Sequence, residues 1–174
     1  MHNIIPQIAI SMNPTSGDTR QHYEDKVAEG EFDQKIDLFC DLIKTLDKPC
    51  FVRLGYEFNG TTWTGYIPIF YKRAWKRFVE KSKQKKVKNV AWVWHYAPEG
   101  ANNYMDYYPG DNYVDWWGIS LFKIQDIGNK YTKKFLQDAK KHKKPVMIAE
   151  SSARGVGVLD VKKAGINGLN PISI

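Results

Sequence analysis

Two short stretches put a carboxylate where an apolar strand should end. CFVRLGYEFNG (50–60) runs as an apolar strand and then presents Arg53 and Glu57 around Gly55. PVMIAESS (145–152) repeats the pattern with Glu150. Residues two apart in a strand share a face. Arg53, Gly55 and Glu57 are therefore expected on one side of the first strand, and Val146, Ile148 and Glu150 on one side of the second. A carboxylate left unpaired in such a place is costly. Singly, each glutamate reads as half of a structural ion pair, Glu57 with Arg53 and Glu150 with Arg154. Together, two carboxylates at carboxyl ends of strands, among aromatic residues, fit the acid and nucleophile that cleave a glycosidic bond.

The aromatic residues extend that reading. Trp92, Trp94, His95 and Tyr96 close a third strand, Trp116, Trp117 and Phe122 mark a fourth, and Trp63, Tyr66, Tyr107 and Tyr108 fall in loops. Sugar rings stack their C–H faces on flat aromatic surfaces and need polar partners at their edges. A tryptophan in a strand reads first as core. Trp63 is different, because it follows FNGTT in a polar loop directly after Glu57. His95 reads equally as a cleft residue and as a hydrogen-bonded core histidine.

These residues need a scaffold, and the chain supplies alternating strands and helices. IIPQIAISM (4–12) is a short apolar strand, and residues 15–30 are polar and turn-rich. FDQKIDLFCDLIKTLD (32–47) places Ile36, Phe39, Cys40 and Ile43 on one helical stripe with Leu42 and Leu46 beside it. Further helices are expected from about Pro68 to Lys83 and across 129–144, and further strands across 89–98, 113–122 and 145–152. The strands are apolar without strict alternation, as expected when both faces are covered. The pattern predicts a parallel α/β fold of the (β/α) TIM-barrel type. An open doubly wound sheet would usually carry a glycine-rich phosphate turn after its first strand. MNPTSGDT stands there instead.

The chain has 174 residues, and residues 1–174 read as a single domain. Its hydrophobic content of 43% is enough for a core. The net charge of +7 comes mostly from KRAWKRFVEKSKQKKVK and KKFLQDAKKHKK, where helical spacing puts lysines on solvent faces. No nucleic-acid motif accompanies them, so no nucleic-acid partner is expected. Cys40 and Cys50 read as buried thiols, with a disulfide as the alternative. No apolar run approaches the ~18 residues of a membrane span. The amino terminus does not read as a signal peptide, so the chain is expected to be intracellular or to lack its natural start. Asn59-Gly60-Thr61 matches a glycosylation sequon, but a glycan there would block the cleft.

RLGYEFNGTTWTGY (53–66), WVWHYAPEG (92–100), YYPGDNYVDWWGISLF (107–122) and KPVMIAES (144–151) resemble clan A glycoside hydrolases, most of all family 26, the β-mannanase family. The upstream EGEFDQKIDLFCDLIKTLDKPCFVR (29–53) is similar to that family's approach to its fourth barrel strand. The resemblance implies a retaining endo-glycosidase acting by double displacement on a β-linked polysaccharide, with β-1,4-mannan in first place. Glu150 matches the nucleophile, and Glu57 matches the residue that first protonates the leaving oxygen and then activates water. Arg53, Tyr56, Trp63, Trp94, His95, Trp117 and Phe122 are the expected substrate-binding residues. No metal and no organic cofactor is implied. The family is usually secreted, which leaves the location of this chain open.

The chain departs from the family pattern in three ways. Tyr56 stands where the family has histidine before its acid/base. Phe122 stands where it usually has a tyrosine that holds the nucleophile. A complete barrel of this kind takes ~250 residues, whereas this chain reads as a truncated barrel from about strand three to strand seven, without a resemblance after Arg154. Open sheet edges are then expected to favour self-association. A catalytically inactive carbohydrate-binding remnant of the same ancestry is the alternative function.

Overall fold

A computed structural model describes residues 4–14, 21–98 and 103–152. Five strands, β1 (Gln7–Ile10), β2 (Cys50–Leu54), β3 (Val90–Tyr96), β4 (Trp116–Leu121) and β5 (Val146–Ser151), form one sheet in the order β1-β2-β3-β4-β5. Every neighbouring pair is parallel. Strand order equal to chain order is the arrangement of a (β/α) barrel, whereas a doubly wound sheet reverses direction at its switch point. The result is a half-barrel with β1 and β5 as its edges. It curls enough for Gln7 Nε2 on β1 to donate to the carbonyl of Ala149 on β5 at 3.1 Å.

The helices are α1 (Glu24–Glu29), α2 (Asp33–Thr45), α3 (Pro68–Gln84), α4 (Ile124–Gly128) and α5 (Lys130–Lys141). Proline at the start of α3 has the φ the helix needs and no N–H to leave unpaired. Asn129 caps α5 by accepting from the Thr132 amide at 2.8 Å. Asp33 at the head of α2 takes a two-pronged contact from Arg77 on α3, at 2.7 and 2.8 Å, which draws its carboxyl below the usual range. Ile36, Cys40 and Ile43 of α2 are buried as their spacing predicts, but Leu42 is 58% exposed and joins Leu38 on the outer surface. Both cysteines are buried free thiols.

Two features differ from the sequence reading. The turn-rich segment contains α1, whose inward anchor is the fully buried carboxylate of Glu24. That carboxylate accepts from the Ile67 amide at 2.8 Å and meets His22 Nδ1 at 2.8 Å, so a charged residue holds the place of an apolar one. Between β3 and β4, the described residues form two single turns of 3-10 helix, Tyr104–Tyr107 and Asp111–Tyr113.

The core lies between the sheet and the helices. Val52, Leu54, Trp94, Tyr96, Trp117 and Ile119 face it from the strands, and Tyr71, Trp75 and Phe135 meet them from the helices. Phe58 stacks on Trp94 with centroids 4.4 Å apart, and Phe135 stacks on Tyr96 at 4.9 Å. The alternate residues of the same strands point to the concave side. There Phe51 of β2 meets Trp116 of β4 edge to face at 5.5 Å, across the intervening strand.

Candidate active site

Four strands each send one polar side chain to the concave side, at or near the carboxyl end of the sheet: Arg53 from β2, His95 from β3, Ser120 from β4 and Glu150 from β5. Ser120 and Glu150 are register partners, just past an irregularity in the β4–β5 ladder. Gly118, two residues before Ser120, leaves room for this set. A Cβ there would lie 2.9 Å from Val93 Cγ1 and 3.0 Å from the Ala149 Cβ, and 3.4 Å from that of His95.

Glu57 arrives by another route. Strand β2 ends at Leu54, so the alternation expected through Glu57 stops short. Gly55 and Glu57 have φ of +52° and +51°. Gly55 suits this, because it tolerates the left-handed region and because a Cβ would lie 2.7 Å from the Tyr71 ring. Glu57 has no such tolerance, and a non-glycine residue in that region costs about 1 kcal/mol or more. The turn is held by its surroundings. Asn59, buried, donates to the Ala97 carbonyl at 2.7 Å and accepts from the Ala97 amide at 2.9 Å. Its amide is committed to the fold, which removes the sequon as a glycan site.

The polar groups form one continuous chain. Arg53 Nη1 donates to Glu150 Oε1 in a short ion pair and also meets His95 Nδ1 at 3.1 Å. His95 Nε2 meets Ser120 Oγ at 2.8 Å, and Ser120 Oγ donates to Glu57 Oε1 at 2.6 Å. The arginine thus pairs with Glu150 on the far strand, where Glu57 was the expected partner. The side chain reaches across the curled sheet, which a reading of one strand cannot foresee. Arg154 lies outside the described residues. Burial, reinforced by the Arg53 charge, pushes His95 down to about 3, so the ring is neutral at ordinary pH.

A cavity of about 350 Å³ opens beside Glu57, lined also by Trp63, Pro98, Ser120, Phe122 and Asp126. Trp63 and Phe122 therefore sit where a ligand would meet them. Trp63 Nε1 has no hydrogen-bond partner among the described residues. Tyr56 is half-buried, with the Arg53 guanidinium 5.6 Å above its ring. His95 lies on the concave side yet is fully buried, joining the two readings left open for it.

Trp94 and Trp117 are corrections. Both are fully buried on the helix side of the sheet, 4.8 Å apart between centroids, and neither lines the cavity. Their parity in the strand is opposite to that of His95 and Ser120. Ser120 and Asp126 were not singled out. Ser120 shares parity with Gly118 near the end of an apolar strand, the same signal that marked Glu150. Asp126 gave no such signal, and it accepts from the Phe122 and Lys123 amides at 3.1 and 2.8 Å. Among the described residues no cluster of histidine, cysteine and carboxylate side chains is placed to hold a metal ion, and no helix is long and apolar enough to cross a membrane.

Comparison with known proteins agrees with this fold. The family model described as glycosyl hydrolase family 26 matches residues 12–163, which corrects the expectation that the resemblance stops at Arg154. A β-1,3-xylanase from Alcaligenes sp. is 29% identical over 77% of this chain and 29% of its own length. A β-mannanase structure from Bacteroides ovatus is 23% identical with a TM-score of 0.70, covering 84% of this chain and 51% of that one. The β-mannanase of a symbiotic protist of the termite Reticulitermes speratus, solved with a gluco-manno-oligosaccharide, is 25% identical with a TM-score of 0.59, covering 80% of this chain and 44% of that one. The chain thus spans about half the length of these solved structures and under a third of that curated relative.

Proposed function

The chain belongs to glycosyl hydrolase family 26, and from that premise we propose that it carries the acid/base and the nucleophile of a retaining endo-glycosidase acting on a β-linked polysaccharide. The observation behind this reading is the hydrogen-bond chain that ties Glu57 to Glu150 through Ser120, His95 and Arg53. Two carboxylates from distant parts of the sequence are held in one network at one end of a half-barrel, beside a cavity with two aromatic walls.

Glu150 attacks the anomeric carbon while Glu57 protonates the leaving oxygen. Arg53 grips Glu150 Oε1 and leaves Oε2 to form the bond. Water then releases the sugar, with Glu57 taking its proton. Trp63 and Phe122 offer faces for sugar rings. Between substrates, the curated relative at 29% identity favours β-1,3-xylan, and β-1,4-mannan is the second candidate.

The test is reducing-sugar release from β-1,3-xylan and from β-1,4-mannan by the wild type and by Glu150→Ala. Release by the wild type that the variant loses supports the reading. Equal silence of both proteins, with either polysaccharide retarding them in a native gel, would favour a carbohydrate-binding remnant. Phe122, standing where the family usually has a tyrosine that holds the nucleophile, is the reason to keep that second reading. The exposed edges of β1 and β5 are also proposed to drive self-association, which sedimentation velocity measures; a monomer at every concentration would refute it.

A further inference from the structure

We infer that Arg53, His95 and Ser120 form a hydrogen-bond chain of fixed direction that keeps Glu57 Oε1 an acceptor and confines the Glu57 carboxyl proton, when present, to Oε2. The catalytic consequence rests on the reading of Glu57 as acid/base. The hydrogen-bond assignment does not.

Direction follows from donor chemistry. A guanidinium can donate and cannot accept. At the 3.1 Å contact with Arg53, His95 Nδ1 must therefore be the acceptor. A neutral imidazole with a bare Nδ1 carries its proton on Nε2. That N–H points at Ser120 Oγ, 2.8 Å away, so the hydroxyl accepts there. Its own proton is then free for Glu57 Oε1 at 2.6 Å. Each link has one donor and one acceptor: reversing the His95–Ser120 link would turn Nδ1–H against the Arg53 guanidinium, and reversing the Ser120–Glu57 link would leave the buried Ser120 hydroxyl proton without the acceptor it has here. Arg53, His95 and Ser120 are all buried, so water cannot easily take over a link. The charged groups facing His95 are Arg53 directly, Glu150 across Arg53, and Glu57 across Ser120.

With Oε1 occupied by a permanent donor, a proton on Glu57 sits on Oε2. Ser120 and His95 are thus positioning residues. The same arginine also holds Glu150. Once Glu150 is esterified by the sugar, the Arg53 charge loses its direct partner and continues to act along the chain towards Glu57, which at that stage must accept a proton from water.

The experiment is a two-bond ¹H–¹⁵N correlation spectrum of the ¹⁵N-labelled chain. His95 is identified by the signals missing in His95→Gln. If that variant fails to fold, single replacements of His2, His22 and His142 identify His95 by elimination. The expected result is a neutral ring protonated on Nε2, unchanged down to about pH 5. A ring protonated on Nδ1, or an imidazolium at that pH, would overturn the inference. In Ser120→Ala the Nε2–H form should persist, because Arg53 sets it, and a switch to Nδ1–H would also overturn it. For the positioning role, Ser120→Ala should slow glycosides with poor leaving groups about tenfold more than those with good ones, since only the former need protonation. Equal slowing of both would count against that role. An Nε2–H ring in a wild type with no turnover would instead sink the glycosidase reading and leave the chain of hydrogen bonds in place.

Discussion

Val52 and Arg53 are neighbours in the chain, and their surroundings have little in common. Val52 is fully buried among aromatic rings on the helix side of the sheet. Arg53 faces the concave side and is tied to a carboxylate and an imidazole. Trp94 and His95 repeat the contrast on β3, as do Ile119 and Ser120 on β4. One face of the sheet is mostly apolar and held by ring packing. The other is held by a few directed polar bonds and opens on a cavity. The contrast teaches that the period-two alternation of a strand lets one peptide serve two purposes. Stability is built on one parity and chemistry on the other, with little interference.

Substitutions can test this division. The largest effect is expected on the helix side. Trp94→Ala removes a ring packed against Phe58, Trp117 and Tyr108 and should cost about 3–5 kcal/mol, read as a lower urea midpoint. On the concave side, Arg53→Met strands Glu150, which is a third exposed, and should cost about 2 kcal/mol. Adding Glu150→Leu should return most of that loss, because the pair contributes little net stability once both charges are gone. A double variant no better than the single one would show that the polar face also carries the fold.

The third test uses pH. Since the folded chain holds His95 neutral to about 3 while the unfolded ring titrates near 6.5, the unfolded state binds more protons between those values. Stability from this group is therefore complete above about 6.5 and falls with acidification through that window, by ~1.4 kcal/mol per pH unit. His95→Gln keeps an acceptor and a donor in place and should flatten the slope by one proton in pH-dependent urea titrations. The smallest effect is expected at the sheet edges. Gln7→Ala should cost about 0.5 kcal/mol, since Gln7 is exposed and water can replace its bond to Ala149.

The alternation that divides the two faces also explains which features were legible in the sequence. Strand and helix positions were readable because apolar period and breakers marked them, as with Pro68 at the start of α3. Both carboxylates stood out in the sequence because a charge ending an apolar run is physically anomalous. The faces of Trp94 and Trp117 were misjudged because a run of aromatics hides parity, although His95 beside Trp94 could have fixed it. The Arg53–Glu150 pair was missed because it depends on how far the sheet curls, which no single strand reports. Helix α1 was missed because Glu24 stands where an apolar anchor would normally give the signal.

Strand order equal to chain order bears on synthesis. Each strand from β2 to β5 leaves the ribosome after the neighbour that precedes it in the sheet, so these pairings can form in chain order without rearrangement. The polar network cannot follow that schedule. Arg53 emerges with β2 and meets Glu150 only when β5 docks, so the nascent chain carries an arginine without its carboxylate partner on the concave side until β5 is in place.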